Sequence, residues 1–260
     1  MKIKPVQIRN APHTECDACP IREMALFQGV PRDRLEWTQK YRDVQLVVPP
    51  KATLYEAGSK PKYVYTLFNG WMAMYQTSRS GKRKILRFVL PGDFLGFQAN
   101  LKGTISHSAS AVSESIVCAF PRDSLPDLFE KQPSLAFRLA SMESREMTLC
   151  QHHQAFRSSK DSHESIAFLL LELFHRTRLQ MRHSYDPVKN SIAFPLTQED
   201  IGDAVGLTSI HVNRVVRQFR MLGLIECDRK NLQILSEEKL AEIGEFDKEL
   251  ITRGDYFSIK

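Results

Sequence analysis

The chain has 260 residues, of which 42% are hydrophobic and 25% are charged, and its formal net charge is +6. This composition excludes a disordered chain, and the length suits two domains of roughly 100–200 residues each. The moderate positive charge is compatible with a polyanionic partner but does not establish one.

Several features of the sequence predict a cytoplasmic protein without a membrane partner. The stretch MKIKPVQIRNAPHTEC carries charges but lacks the apolar core of a signal peptide. The most apolar run, IAFLLLELF at 166–174, is too short to span a membrane and contains Glu172, so we interpret it as a buried helix face. Five cysteines with one close pair, Cys16 and Cys19, do not form a disulfide framework and fit a reducing compartment.

Residues 44–121 have the pattern of short β-strands. The segments VQLVV, YVYTLFNGWMAMYQ, KILRFVL and ESIVCAF are rich in β-branched and aromatic residues, and Gly, Pro, Ser and Asp separate them. Asn69-Gly70 lies between two apolar runs and is typical of a hairpin turn. The segment therefore predicts a β-roll or sandwich.

A long helix is predicted after Pro133. Apolar residues recur every seven positions along it, with one more between them: Leu135, Leu139, Met142, Leu149 and Phe156. We interpret this stripe as a dimer interface because a narrow apolar seam suits a partner helix. The alternative is that the stripe packs on its own domain, and the polar residues Glu146 and His153 within it weaken the dimer interpretation.

A second helix is predicted over 160–181. Its apolar residues share one face: Ile166, Leu169, Leu170, Leu173 and Phe174. The polar stretch RHSYDPVKNS then predicts a loop, and IAFPL predicts a short strand.

The segment LTQEDIGDAVGLTSIHVNRVVRQFRMLGLI predicts two helices joined by a tight turn. Thr197 can cap the first helix with Asp200 three residues on, and Gly206 can end it. Thr208 can cap the second helix and Gly223 can end it. The spacing predicts a helix-turn-helix, with these residues turned inward: Ile201, Ala204, Val205, Val212, Val215, Val216, Phe219 and Leu222.

The outer face of the second helix predicts contact with DNA. Arg and Asn are suited to bidentate contact with guanine and adenine in the major groove, whereas Arg220, further along, suits phosphate. The following stretch GLIECDRKNLQILS predicts the hairpin wing of a winged helix. The alternative is a charged face that only meets solvent, but no acid occurs between positions 204 and 225. The candidate DNA-contacting residues are Thr208, Ser209, Ile210, Asn213, Arg214, Arg217, Arg220, Arg229 and Lys230.

Together with LPGDFLGF at 90–97, these motifs resemble the Crp/Fnr family of bacterial transcription regulators over nearly the whole chain. The resemblance implies an α+β fold with an N-terminal β-roll like a cyclic-nucleotide-binding jelly roll, a long dimerisation helix and a C-terminal winged helix-turn-helix. It also implies a homodimer that binds palindromic promoter sites and acts with RNA polymerase. No nucleophile elbow, P-loop or His-Glu-x-x-His motif is present, so we do not expect an enzyme.

The resemblance gives the domain organisation. We expect an N-terminal cysteine-containing arm, a β-roll sensor domain, a dimerisation helix, the DNA-binding domain and a C-terminal tail, at 1–28, 29–130, 131–158, 159–236 and 237–260.

Two departures from the cAMP-binding branch place the chain closer to the Fnr-type branch. Cyclic-nucleotide-binding members carry a Gly-Glu step and an Arg-Ser pair that hold ribose and phosphate. This chain has Phe97 in place of the Glu and His107-Ser108 in place of the Arg-Ser pair. We therefore expect weak binding of cAMP.

The oxygen-sensing branch holds a [4Fe–4S] cluster with three N-terminal cysteines and one inside the roll. Cys16, Cys19 and Cys118 match three of these ligands, but Ala25 replaces the remaining one. With His13 as a substitute ligand, either a cluster or a zinc site can be written, and the cysteines would then form a redox or oxygen sensor that controls DNA binding. We favour the alternative of no bound metal because a C-x2-C pair alone has low specificity.

Overall fold

The structure is a computed structural model that describes residues 7–22, 24–28, 30, 39–98, 100–159, 161–228 and 230–252. Within these ranges, the side chains of residues 155–159 and 252 lie outside the description.

The described strands between residues 9 and 121 form two antiparallel sheets. Their strands are β1 (Arg9–Asn10), β2 (Val44–Val48), β3 (Thr53–Tyr55), β4 (Tyr63–Asn69), β5 (Met72–Thr77), β6 (Arg83–Val89), β7 (Phe94–Leu95), β8 (Ser108–Ala111) and β9 (Ser115–Pro121). One sheet has the order β1-β2-β9-β4-β7 and the other β3-β8-β5-β6. The predicted β-roll is therefore confirmed.

The hairpin between β4 and β5 shows why a glycine is required there. Gly70 has a φ of 93°, which side chains other than that of glycine rarely allow. A Cβ atom at this position would also lie 2.4 Å from the carbonyl oxygen of Glu114. The turn therefore packs directly against the connection between β8 and β9. The Asn69-Gly70 pair predicted the turn but not this packing.

The N-terminal arm packs on the roll. Strand β1 pairs with β2, so that Arg9 lies opposite Val47. Further along the arm Leu26 is buried, and the ring of Phe27 lies 5.4 Å from that of Phe120. Burial of these apolar side chains holds the arm against the sheet.

Two helices follow the roll, α1 (Leu125–Lys131) and α2 (Pro133–Ser159). The long helix predicted after Pro133 is α2, and its start is confirmed.

The apolar stripe of α2 faces the protein's own interior. Leu135, Leu139 and Leu149, which we predicted to lie in a dimer interface, are at most 3% exposed in the single chain, so the chain itself covers these side chains. Met142 is half-buried, and the side chain of Phe156 lies outside the described residues. A seven-residue spacing identifies an apolar stripe but does not say which surface covers it.

The C-terminal part contains α3 (Ser162–Gln180), β10 (Tyr185–Asp186), β11 (Ser191–Ala193), α4 (Gln198–Val205), α5 (Ser209–Met221), β12 (Ile225–Cys227), β13 (Asn231–Ile234), α6 (Glu237–Gly244) and α7 (Glu249–Thr252). The sheet has the order β10-β11-β13-β12, so β12 and β13 form the predicted hairpin wing. The stretch predicted as a loop contains β10, which pairs with β11.

Helix α6 packs closely on α3. A Cβ atom on Gly244 would lie 2.7 Å from the backbone nitrogen of Phe168, so the glycine allows the two helices to approach. The ring of Phe246 then contacts Phe168 and stacks on His175, both at 5.4 Å. The described part of the predicted tail therefore belongs to the same core as the helix-turn-helix.

By their contacts, the described residues form two compact units. One contains the residues up to Gln76 with Phe88–Ser141, and the other contains Thr77–Arg87 with the residues from Met142 onward. In the part of the chain that the structure describes, every helix is too short or too polar to cross a membrane.

Candidate nucleic-acid interface

Local capping interactions fix the helix-turn-helix. The hydroxyl of Thr197 accepts a hydrogen bond from the Asp200 backbone N–H at 3.1 Å, and the Asp200 carboxylate accepts from the Thr197 N–H at 3.0 Å. This reciprocal pair is the predicted capping box, and it begins α4. Gly206 ends α4 in the left-handed conformation with a φ of 82°. The tight turn therefore follows from residues that the sequence identifies.

Helix α5 has one buried side and one exposed side. Thr208 caps it by accepting from the N–H of His211 at 3.3 Å. The prediction for its inward face is confirmed at Val212, Val215, Val216 and Phe219, which are all buried.

Leu222 does not belong to this inward face, and that prediction is wrong. Leu222 is 68% exposed because α5 ends at Met221 and Gly223, with a φ of 66°, turns the chain. The buried residue after the turn is Leu224.

The exposed side of α5 carries most of the predicted DNA-contacting residues. The side chains exposed at the helix cap and along α5 include Thr208, Ser209, Ile210, Asn213, Arg214, Arg217 and Arg220. Lys230 is exposed at the tip of the wing, and Arg229 lies outside the described residues. The structure thus places the described members of this set on the surface, with the α5 members along one helix.

Besides the cap Thr208, two side chains of the set, those of Asn213 and Arg220, have hydrogen-bond partners within the chain. The amide nitrogen of Asn213 donates to the side-chain oxygen of Gln198 at 3.1 Å, which links α5 to the start of α4. The Nε of Arg220 donates to the carboxylate of Glu226 at 3.2 Å, and both side chains are about half exposed. Glu226 lies just beyond the acid-free segment, so the charge of Arg220 is partly balanced by a neighbour on β12.

A groove separates α5 from the wing sheet. It has a volume of about 1360 Å3, and polar side chains from both walls line it, including Ser209, Asn213, Glu226 and Gln233. The carboxylate of Asp228 accepts from the backbone N–H groups of Lys230 and Asn231, which shapes the wing turn. The groove lies beside the exposed face of α5, and apolar side chains such as Leu196 and Val216 line it together with the polar ones.

Aromatic side chains occupy the interior of the roll beside the His107-Ser108 pair. The hydroxyl of Tyr55 lies 3.0 Å from Nε2 of His107, and both side chains are buried. Tyr65 stacks beside Tyr55 at 6.0 Å, and burial raises the pKa of Tyr65 to about 12. The Ser108 hydroxyl accepts from the Ala57 N–H at 2.9 Å. The His-Ser pair therefore bonds to the protein's own strands and turns.

The three candidate cysteines lie near one another beside a buried arginine. Arg42 and Gln45 both point N–H groups at the sulfur of Cys118, at 3.9 and 3.3 Å. Burial is the largest cause that raises the pKa of all three thiols, and the charge of Cys118 raises the pKa of Cys16 and Cys19 further.

These residues do not fit a four-iron cluster. Ala25 is buried and offers a methyl group where the missing ligand is expected. His13, the substitute ligand, has its ring nitrogen Nδ1 3.2 Å from a guanidinium nitrogen of Arg42. Among the described residues, no group of three His, Cys, Asp or Glu side chains has the arrangement to hold a metal ion.

Two groups of ion-paired residues lie in the part of the chain that contains the helix-turn-helix, and the sequence analysis did not predict these pairings. Glu172 is buried on α3, where its carboxylate accepts from Arg176 at 3.0 Å and lies 2.6 Å from the Nε2 of His153. Arg83 reaches Asp200 and Asp203 on α4, at 2.5 and 2.8 Å. Glu172 could be noticed in the sequence because it is an acid within an apolar helix face. No sequence pattern indicates that Arg83 contacts Asp200 and Asp203.

Comparison with known proteins agrees with this architecture. A family model of the cyclic nucleotide-binding domain matches residues 45–132, and one of the Crp-like helix-turn-helix domain matches residues 164–243. Together the two models match well over half of the chain. The fold and the exposed helix thus define a regulator with a sensor-type roll and a DNA-binding winged helix. The chain belongs to the Crp/Fnr family of transcription regulators, on the Fnr-like side.

Individual relatives are similar over most of their length. The chain is 27% identical to the transcriptional activator protein FnrL of Cereibacter sphaeroides, covering 85% of this chain and 88% of that protein. It is 25% identical to the fumarate and nitrate reduction regulatory protein of Escherichia coli K12, covering 88% and 90%. The solved structure of FixK2 from Bradyrhizobium japonicum shares the fold, with a TM-score of 0.68, 24% identity and coverage of 76% and 96%.

Proposed function

We propose that this chain is a homodimeric, sequence-specific DNA-binding regulator that binds palindromic promoter sites without cAMP and acts with RNA polymerase in the cytoplasm. The observation that carries the proposal is the exposed face of α5. It presents Arg214 and Arg217 with Asn213 beside them, opposite a fully apolar buried face. Side chains of these types read base edges in the major groove.

The charge around α5 supports binding to a polyanion. No acid lies between residues 204 and 225, and Lys230 is exposed on the neighbouring wing. Lys and Arg side chains that bind DNA phosphates release the counterions of the DNA, so the affinity for DNA should fall as the salt concentration rises. An ordinary solvated helix face would give no such dependence for a specific duplex.

The outward face of α2 supports a dimer. This face begins at Phe137, two positions after Leu135, the first residue of the predicted stripe. Phe137 is 47% exposed and Met147 is 63% exposed, and Ala140, Ser144 and Gln151 are exposed at helical spacing between and beyond them. These residues repeat at intervals of three and four, as in a helix pair. We therefore assign the dimer interface to this face rather than to the buried leucines.

Changing Met147 to Glu is expected to weaken the dimer and to leave the fold intact. The side chain is largely exposed in the single chain, whereas a charge at a helix-pair seam must lose water. Light scattering and sedimentation should show a shift from dimer to monomer, and the affinity for a palindromic site should fall with it. Met221 is 70% exposed on α5, so Met221→Glu is the matched control and should remain dimeric. A Met147→Glu protein that stays fully dimeric would contradict this interface.

The roll supports a regulator that does not depend on cAMP. Phe97 brings no carboxylate for a ribose, and His107 is held by Tyr55 inside the roll. A cyclic nucleotide would have to displace buried side chains without gaining the arginine that holds its phosphate in the cAMP-binding branch.

The cysteines give less support to the alternative of a redox or oxygen sensor. A four-iron cluster normally requires four ligands, and Ala25 supplies none. Burial raises the pKa of Cys16, Cys19 and Cys118, so the reactive thiolate form is disfavoured. We therefore propose a regulator without a bound cofactor.

Selection from random duplexes tests this function. The purified full chain should enrich two inverted half-sites about 10 base pairs apart, because two recognition helices of a dimer reach successive turns of the major groove. The affinity for the enriched site should fall steeply with salt and should not change when cAMP is added. An unenriched pool would contradict sequence-specific binding, and a cAMP-dependent affinity would contradict the cAMP-independent mode.

A further inference from the structure

The outermost ridge of α5 begins with an apolar side chain. At about 100° per residue, the ridge opposite the buried face contains Ile210, Arg214, Arg217 and Met221. Ile210 lies in the first turn and is 81% exposed, more than any other large apolar residue of this helix. The ridge that would enter a groove most deeply therefore has an isoleucine at its leading end.

Only one feature of the major groove suits such a side chain. Base edges there present hydrogen-bond donors and acceptors, and the 5-methyl group of thymine is the apolar exception. An isoleucine pressed against polar edges would remove their water without replacing the hydrogen bonds, which costs free energy. Against a methyl group, both surfaces lose unfavourable contact with water.

We propose that Ile210 is a specificity-determining residue that contacts the methyl group of one thymine in each half-site. This inference rests on the proposed function and specifies a base that the site must contain. Ile210 and Arg214 are four positions apart, which corresponds to a rise of about 6 Å along the helix. Since bases are about 3.4 Å apart along a strand, the thymine lies about two base pairs from the guanine that Arg214 reads.

The other exposed apolar residue of the ridge provides a control. Met221 is 70% exposed but lies at the last position of α5. The first turns of a recognition helix are the part that contacts base edges. Met221 should therefore not sense any thymine methyl group.

The test replaces the thymines of the selected site one at a time by deoxyuridine, which pairs like thymine but lacks the methyl group. Affinities of the wild type, Ile210→Ala and Met221→Ala are measured by fluorescence anisotropy at one salt concentration. At one thymine per half-site, deoxyuridine should weaken the wild type about 4-fold, the effect of losing about one buried methyl group. Ile210→Ala should be insensitive at that position, whereas Met221→Ala should behave like the wild type. Because Ile210 is exposed, its alanine variant should keep the wild-type melting temperature.

The possible failures are distinguishable. A pool without enrichment overturns the proposed function and this inference with it. An enriched site at which Ile210→Ala and the wild type respond identically to every deoxyuridine overturns the role of Ile210 alone and leaves sequence-specific binding intact.

Discussion

Replacing Arg214 with alanine is expected to lower the affinity for the selected site by about 1–3 kcal/mol and to leave the affinity for random duplexes nearly unchanged. Arg214 lies on the outer ridge of α5, in its first two turns, where a guanidinium can donate two hydrogen bonds to guanine. Measurement of the dissociation constant for both duplexes at the same salt concentration gives the comparison.

Arg220→Ala is the matched control for this prediction. Arg220 lies near the end of α5 and already bonds to Glu226, so we assign it to phosphate rather than to a base. Its loss should weaken specific and random duplexes about equally. Equal losses for Arg214→Ala on both duplexes would show that Arg214 does not read a base.

Replacing Glu172 with alanine is expected to destabilise the protein by about 3–5 kcal/mol. The side chain of Glu172 is 5% exposed. The guanidinium of Arg176, which is 1% exposed, donates a hydrogen bond to its carboxylate. Removing one partner of a buried ion pair is costly because the remaining charge loses an attractive interaction that water cannot replace. Urea denaturation followed by circular dichroism measures the change. Glu172→Gln keeps the shape and one acceptor oxygen, so it should destabilise less; equal effects of the two variants would argue against the role of the charge.

The same carboxylate predicts how stability depends on pH. Burial alone would raise the pKa of Glu172, but the charges and hydrogen bonds of His153 and Arg176 lower it from 4.5 to about 2. The folded state therefore binds this proton more weakly than the unfolded chain, so its contribution is complete above about pH 4.5 and is lost as the pH falls toward 2. The stability difference between wild type and Glu172→Ala should shrink over that interval, and a constant difference would contradict this origin.

The helix-turn-helix could be predicted from the sequence because its signals are local. Thr197, Asp200, Gly206 and Thr208 act within three or four residues of their positions, and the structure has each of them in its predicted role. Leu222 failed for a related reason. Its inward position was predicted from the helical period, but α5 ends at Met221 and the turn at Gly223 redirects the chain.

Features that depend on distant partners could not be predicted in this way. The heptad stripe on α2 correctly indicated that Leu135 and Leu139 are buried. It did not indicate that the rest of the same chain covers them. The family resemblance singled out Cys118, but nothing near it in sequence indicates that Gln45 and Arg42 approach its sulfur from 73 and 76 residues away. Such neighbours are set by the folded roll and not by local periodicity.

The division of α5 into two faces has a consequence for how this regulator can evolve. Val212, Val215 and Phe219 hold the helix in place, while Ile210 and Arg214 contribute little to that packing. Substitutions on the outer ridge should therefore change which promoters are recognised at little cost to folding. Related regulators in one genome could thus acquire separate sets of target genes through a few changes in two helical turns.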